Sequence, residues 1–329
     1  MTNRLIAGIA LLLAFSTPAL AIDIDEPSIT RFIDEMVSEH DYDRASLEEI
    51  LAEAEFKESI VEQISKPAER TLTWADYRPI FMTDERIQAG ADFWREHREA
   101  LETVSNDTGV PIEIIVGIIG VETYYGRITG GHRVLDALAT LAFYYPPRET
   151  FFRRELQQFL LLVREEEMQA VDAFGSYAGA MGRPQFMPSS YRAYAVDSTG
   201  DNKRDIWNNW TDVAGSIANY FIEHQWRSGE EVVTRASLGE QYSGTPPANK
   251  LKANSTVAKL SDEDVLFATQ MANDSPARLL TLEGADGDEH WVGFHNFFVI
   301  TRYNRSVMYA LAVHQLGQEI ALEMVNDED

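Results

Sequence analysis

Between Pro111 and Gly126 the chain carries an apolar helix and ends it on an acid. Pro111 suits the first position of a helix, and Ile114, Ile115, Ile118 and Ile119 recur at helical spacing up to Glu122. Gly126 is the expected stop, which places Glu122 at the rim of a cleft rather than in a sealed core. Apolar neighbours and the negative end of the helix dipole both oppose ionisation there, so the carboxyl pKa is expected to rise toward neutrality. On this local pattern alone, a solvated glutamate at a helix end remains the simpler alternative.

Helical spacing surrounds this segment. From Ser28 to about Ser65, Ile29, Phe32, Ile33, Met36, Leu47, Ile50, Leu51 and Ala54 keep the helical period, and Pro67 breaks it. A second stretch starts at the N-cap Thr83, carries Ile87, Phe93, Trp94, Leu101 and Val104 inward, and ends at Gly109. Further helices are expected at about 135–143, 149–166, 189–196 and 211–226. From about 229 to 301 the texture changes: Val232-Val233, 278–282 and 291–300 are β-rich runs separated by Gly, Pro, Asn and Asp. Asn304 then opens a final helix through Met308, Leu311, Ala312 and Leu316. The expected class is mainly α (α+β). An N-terminal helical subdomain covers 22–110, a helical core covers 111–228 with 301–325, and a small β-rich subdomain covers 229–300.

Residues 1–21 have the pattern of a secretory signal: Arg4, an apolar run from Leu5 to Phe15, and Ala19-Leu20-Ala21 as the cleavage site. The run is too short to span a bilayer and no later segment is apolar enough to do so, so no transmembrane anchor is expected. The absence of cysteine excludes an N-terminal lipid anchor, disulfides, thiolate nucleophiles and Cys-ligated metals. The expectation is a soluble periplasmic protein. A formal net charge of −25 argues against nucleic acid, whose phosphates call for dense Lys and Arg. It leaves open a polymeric sugar, which aromatic rings and hydrogen bonds hold at short range.

A set of longer motifs then appears in order. They are Gly120-Val121-Glu122-Thr123-x-x-Gly126-Arg127, the run 135–141, Tyr144-Tyr145-Pro146, the glycine-rich block 175–182 continuing into 185–191, the run 217–221, and Ile300-Thr301-Arg302-Tyr303-Asn304. Together they resemble the lytic murein transglycosylase B family over about 66–322. The resemblance implies a lysozyme-like helical core that acts on peptidoglycan glycan strands with Glu122 as catalytic residue and no second catalytic carboxylate. It places Ser176 and Gln185 where the family hydrogen-bonds the sugar and its N-acetyl group. Tyr220, Tyr303 and Tyr309 fall at aromatic positions of the saccharide cleft, with Asn304 beside them, and Phe186 and Met187 at its floor. Arg183-Pro184 depart from the small or aromatic pair expected between Gly182 and Gln185, and Pro184 constrains the backbone that aims Gln185.

With one carboxylate, two-carboxylate hydrolysis has no nucleophile and no base to activate water. The implied route lies inside the substrate. Glu122 protonates the oxygen between N-acetylmuramic acid and N-acetylglucosamine, the N-acetyl carbonyl stabilises C1, and Glu122 then takes the C6 hydroxyl proton as a 1,6-anhydro ring closes. A muramidase that cuts the same bond with water, and a non-catalytic peptidoglycan-binding scaffold, are the alternatives. The chemistry calls for no cofactor; proteins of the cell-wall machinery are conceivable partners. Asp197-x-Thr199-x-Asp201-x-Lys203-x-Asp205 spaces oxygen ligands at alternate residues like an EF-hand loop, with Lys203 offering its carbonyl. Asn202 stands for the turn glycine and position twelve is Asn208; the resemblance supplies Asp212 as the closing ligand of a structural calcium, with sodium as a substitute, in the loop 197–212. The seven His form no metal pattern, and His132, His290 and His295 read as surface or packed residues.

Overall fold

The structure is a computed structural model that describes residues 20–66, 72–243 and 245–326. Residues 1–19 of the expected signal 1–21 and the helix-breaking Pro67 lie outside the described residues, while Leu20 and Ala21 are described.

The stretch expected as helical from Ser28 to Ser65 is three helices, α1 (Pro27–His40), α2 (Arg44–Ala52) and α3 (Glu58–Ile64), joined by a short strand. Leu20–Ala21 (β1) and Glu55–Phe56 (β2) pair antiparallel. Asp41 turns left-handed at φ 52° to end α1, and Asp43 caps α2 by accepting the Ser46 N–H at 2.8 Å. A capping box between Thr73 and Asp76 starts α4 (Trp74–Phe81). Thr83 caps α5 (Asp84–Glu96) as expected, but the helix does not run on to Gly109. It breaks at His97, whose ring packs on Phe93 and Trp210, and α6 (Arg98–Thr108) follows before Gly109 stops it at φ 69°.

Next comes the acid-bearing helix α7 (Ile112–Thr123), buried along most of its length. Tyr124, left-handed at φ 50°, ends it two residues before Gly126, the stop expected from sequence. Then follow β3 (His132–Arg133), α8 (Val134–Tyr144), α9 (Glu149–Glu165), β4 (Phe174–Gly175), α10 (Pro188–Tyr194) and α11 (Trp210–Glu223). The β-rich part holds β5 (Val233–Leu238), β6 (Ser255–Thr256), α12 (Val257–Asp262), β7 (Val265–Phe267), β8 (Pro276–Gly284) and β9 (Gly287–Gly293). The strands form one antiparallel sheet in the order β6-β8-β9-β5-β7, with Ala236, Leu279 and Val292 buried in a small core of its own against Val257 and Leu260.

The run expected as strand from Trp291 to Ile300 is strand only to Gly293; α13 (His295–Tyr303) takes over and crosses the boundary expected at 300. Buried Asn296 anchors that helix, accepting from the Arg227 N–H at 3.0 Å and donating to the carbonyls of Arg227 at 2.8 Å and Glu230 at 3.0 Å. Asn304 closes α13 in an extended conformation, and the last helix, α14, spans Val307–Asn326 rather than opening at Asn304.

α14 runs antiparallel to α7, and two glycines set how close they come. A Cβ at Gly117 would lie 2.5 Å from the Val313 carbonyl oxygen, and one at Gly317 would lie 2.2 Å from that of Glu113. Only glycine allows this approach. In the same antiparallel register, Glu122 near the end of α7 meets Tyr309 in the first turn of α14.

Candidate active site

Glu122 is partly buried at the end of α7. Its Oε1 accepts a 2.6 Å hydrogen bond from the Tyr309 hydroxyl. Tyr309 is 2 % exposed. Burial first, and the Glu122 charge second, hold the phenols of both Tyr309 and Tyr303 well above the usual tyrosine range. Both therefore remain O–H donors at neutral pH. Their rings lie nearly parallel, 6.5 Å apart.

Tyr303 donates to the Pro184 carbonyl at 2.7 Å. Tyr220 lies beneath it, 4.8 Å between ring centroids, and its hydroxyl donates to the Arg302 carbonyl at 2.6 Å, so Tyr220 braces the end of α13. Phe186, 2 % exposed, packs 5.8 Å from both rings, while Met187 is the half-buried residue that leads into α10. Asn304 is half-buried at the turn between Tyr303 and Tyr309.

The glycine-rich block meets these rings at Pro184 and Phe186. The Ser176 oxygen accepts the N–H groups of Ala178 at 3.2 Å and Ala180 at 3.1 Å, which leaves its own O–H to donate outward. Gln185 adopts the left-handed region at φ 53°. Its amide nitrogen donates to the carbonyls of Thr129 at 3.1 Å and Gly182 at 2.7 Å, so its amide oxygen is the end left to accept. Thr123, next to Glu122, donates to the Arg183 carbonyl at 3.3 Å. The structure thus gathers Glu122, Tyr303 and Tyr309, and joins them through the 182–185 turn to Gln185. Sequence reasoning missed Tyr77. It is buried on α4 and near enough to Tyr309 to add to the rise of its phenol. The capping box that starts α4 was the available signal.

The loop 197–212 brings Asp197, Asp201 and Asp212 together, with one oxygen of each within 4.8 Å of the others. Asp212 is fully buried and accepts the N–H groups of Ser198 at 2.9 Å and Asp205 at 3.0 Å. Thr199 donates to Asp212 at 3.4 Å, and the Lys203 N–H donates to Asp201 at 2.9 Å. Asn202 takes the left-handed turn at φ 65° that the sequence assigned to it. Asp205, expected in the ligand series, instead accepts the N–H groups of Trp207 and Asn208, each at 2.9 Å.

The described residues thus combine a helical core and a five-stranded antiparallel sheet with a carboxyl group that accepts from a buried phenol. Residues 25–318 match the family described as the transglycosylase SLT domain, and the chain belongs to that family. It is 42% identical over 310 residues to the membrane-bound lytic murein transglycosylase B of Escherichia coli K12, covering 92% of this chain and 84% of that one. The catenated lytic transglycosylase SltB1 of Pseudomonas aeruginosa superposes with a TM-score of 0.86 at 46% identity, over 91% of this chain and 98% of that one. The Escherichia coli lytic transglycosylase Slt35 in complex with calcium superposes at 0.84 with 42% identity, over 93% and 97%. Among the described residues no single helix is long and apolar enough to cross a membrane.

Proposed function

We propose that this lytic transglycosylase cleaves the N-acetylmuramic acid-β-1,4-N-acetylglucosamine bond of peptidoglycan, with Glu122 as the only acid and base. The observation that carries the reading is the Glu122–Tyr309 pair: the buried phenol donates to Oε1 and fixes the carboxyl that delivers the proton. Glu122 gives that proton to the bridging oxygen as the C1–O bond breaks. The N-acetyl carbonyl of the muramic sugar holds C1. The C6 hydroxyl oxygen then bonds to C1 and returns its proton to Glu122, so water is not consumed and the product ends in a 1,6-anhydro ring. Ser176 supplies an O–H and Gln185 an amide oxygen, complementary to the carbonyl and N–H of an N-acetyl group. Tyr303 supplies a ring face, with Tyr220, Phe186 and Met187 supporting it and Asn304 at the adjoining turn.

Asp197, Asp201 and Asp212, with the Thr199 hydroxyl and the Lys203 carbonyl, would hold a calcium ion. Three converging carboxylates, one with no exposed surface, are a donor set that a hard cation neutralises. Its role is to stabilise the loop, with no part in the chemistry. The signal-like segment 1–21 supports export to the periplasm, where the glycan strands lie.

Replacing Glu122 by Gln tests the assignment. Solubilisation of purified sacculi is expected to fall by about a thousandfold or more while sacculus binding and the melting temperature stay near wild type. Substantial turnover in Glu122→Gln would reject Glu122 as the acid. A wild-type protein that binds sacculi but releases nothing would favour the scaffold reading.

A further inference from the structure

Arg183, the residue by which this chain departs from the expected motif, lies among the groups around Glu122. Its guanidinium sits 3.8 Å above the Trp210 ring, and its Nη1 is buried without a hydrogen-bond partner. The Trp210 ring is packed in turn by Phe93 at 4.6 Å and His97 at 5.4 Å. A partly buried guanidinium stacked on a ring face, with the Asp205 carboxylate near enough to act on it, is held in one orientation because the group is planar.

Arg183 sits in the Gly182–Gln185 turn, whose backbone is tied on both sides. Its N–H donates to the Ile206 carbonyl at 3.0 Å, and its own carbonyl accepts from Thr123, the neighbour of Glu122. The next carbonyl, of Pro184, accepts from Tyr303, and the turn ends on Gln185 in the left-handed region. A non-glycine residue in that region persists only where its surroundings over-determine it. Five tethers leave this one turn, to Ile206, Thr123, Tyr303, Trp210 and Thr129, and among the residues they join are Tyr303, Gln185 and the neighbour of Glu122.

We propose that Arg183 is a positioning residue for bond cleavage. Seated on Trp210, it sets the 182–185 turn, and through that turn the placement of Gln185, Tyr303 and the end of α7 that carries Glu122. The proposal rests on Glu122 being the acid and base. Misplacing reacting groups by a fraction of an ångström lowers kcat, while binding contacts spread along the cleft hold KM.

The test is Arg183→Met, which keeps length and apolar bulk but loses charge and planarity, with Arg183→Lys beside it, on soluble uncrosslinked glycan strands. Arg183→Met is expected to lower kcat about tenfold with KM within about twofold and the melting temperature within a few degrees of wild type, and Arg183→Lys is expected to fall between. An unchanged kcat per folded molecule, or a loss of rate that only follows a loss of folded protein, overturns the proposal. If Arg183→Met folds poorly, Trp210→Phe carries the test: a severalfold lower kcat at constant KM supports positioning, and an unchanged kcat overturns it. Glu122→Gln measured alongside separates the two claims. Turnover retained there removes the acid assignment, whereas an inert Glu122→Gln with a fully active Arg183→Met removes positioning alone.

Discussion

Tyr309 gives Glu122 what its own helix cannot, a donor fixed by burial on α14. A buried hydrogen bond to a group that ionises is worth about 1.5–3 kcal/mol, so Tyr309→Phe is expected to lower kcat by at least about tenfold and to move the melting temperature by only a few degrees. A wild-type rate in Tyr309→Phe would mean that the carboxyl works without its phenol. Apolar spacing and the motif around it singled out Glu122, and the structure places it near the end of α7 as that spacing predicts. Its bond to Tyr309 was not, because 187 residues separate the partners and no local pattern encodes that distance. Gln185 was legible as a type but not as a conformation: a left-handed backbone is rare for glutamine, and here the surrounding turn imposes it. Pro184, which put its aim in question, instead provides the carbonyl that holds Tyr303.

At the scale of elements, α7 and α14 form the frame, and the glycines that let them touch sit inside apolar runs where a sequence reading sees only helical period. The same limit explains α13. Its Phe297, Phe298, Val299 and Ile300 favour a strand locally, but Asn296 locks the segment onto the 227–230 turn as a helix, a tertiary contact that overrides propensity. The helix break at His97 has the same origin, in rings that pack rather than in the local code. The loop 197–212 was more legible, since alternate oxygen ligands mark it; the defection of Asp205 to the Trp207 and Asn208 N–H groups was not. Because Asp212 lies in the first turn of α11, a cation there would stabilise both loop and helix. Chelation is expected to lower the melting temperature by roughly 5 °C, with recovery on adding calcium and no response in Asp212→Asn. A melting curve indifferent to chelator would remove the cation from the loop.

At the scale of the whole molecule, distant segments converge on the Glu122–Tyr309 pair. The N-terminal helices reach it through Tyr77 on α4 and the His97 bend, the core supplies Glu122 and the glycine-rich block, and the segment after the sheet returns as α13 and α14 to supply Tyr303 and Tyr309. The mainly α class was legible from period and motif order. How distant segments converge was not, since that depends on packing between elements far apart in sequence. The central statement is that a single carboxyl serves both proton transfers, and its direct consequence is chemical. Purified sacculi digested to completion and the released muropeptides weighed are expected to end in anhydro-muramic acid, each lighter by one water than the reducing-end form. A product set made entirely of reducing ends would contradict this and make the enzyme a hydrolase.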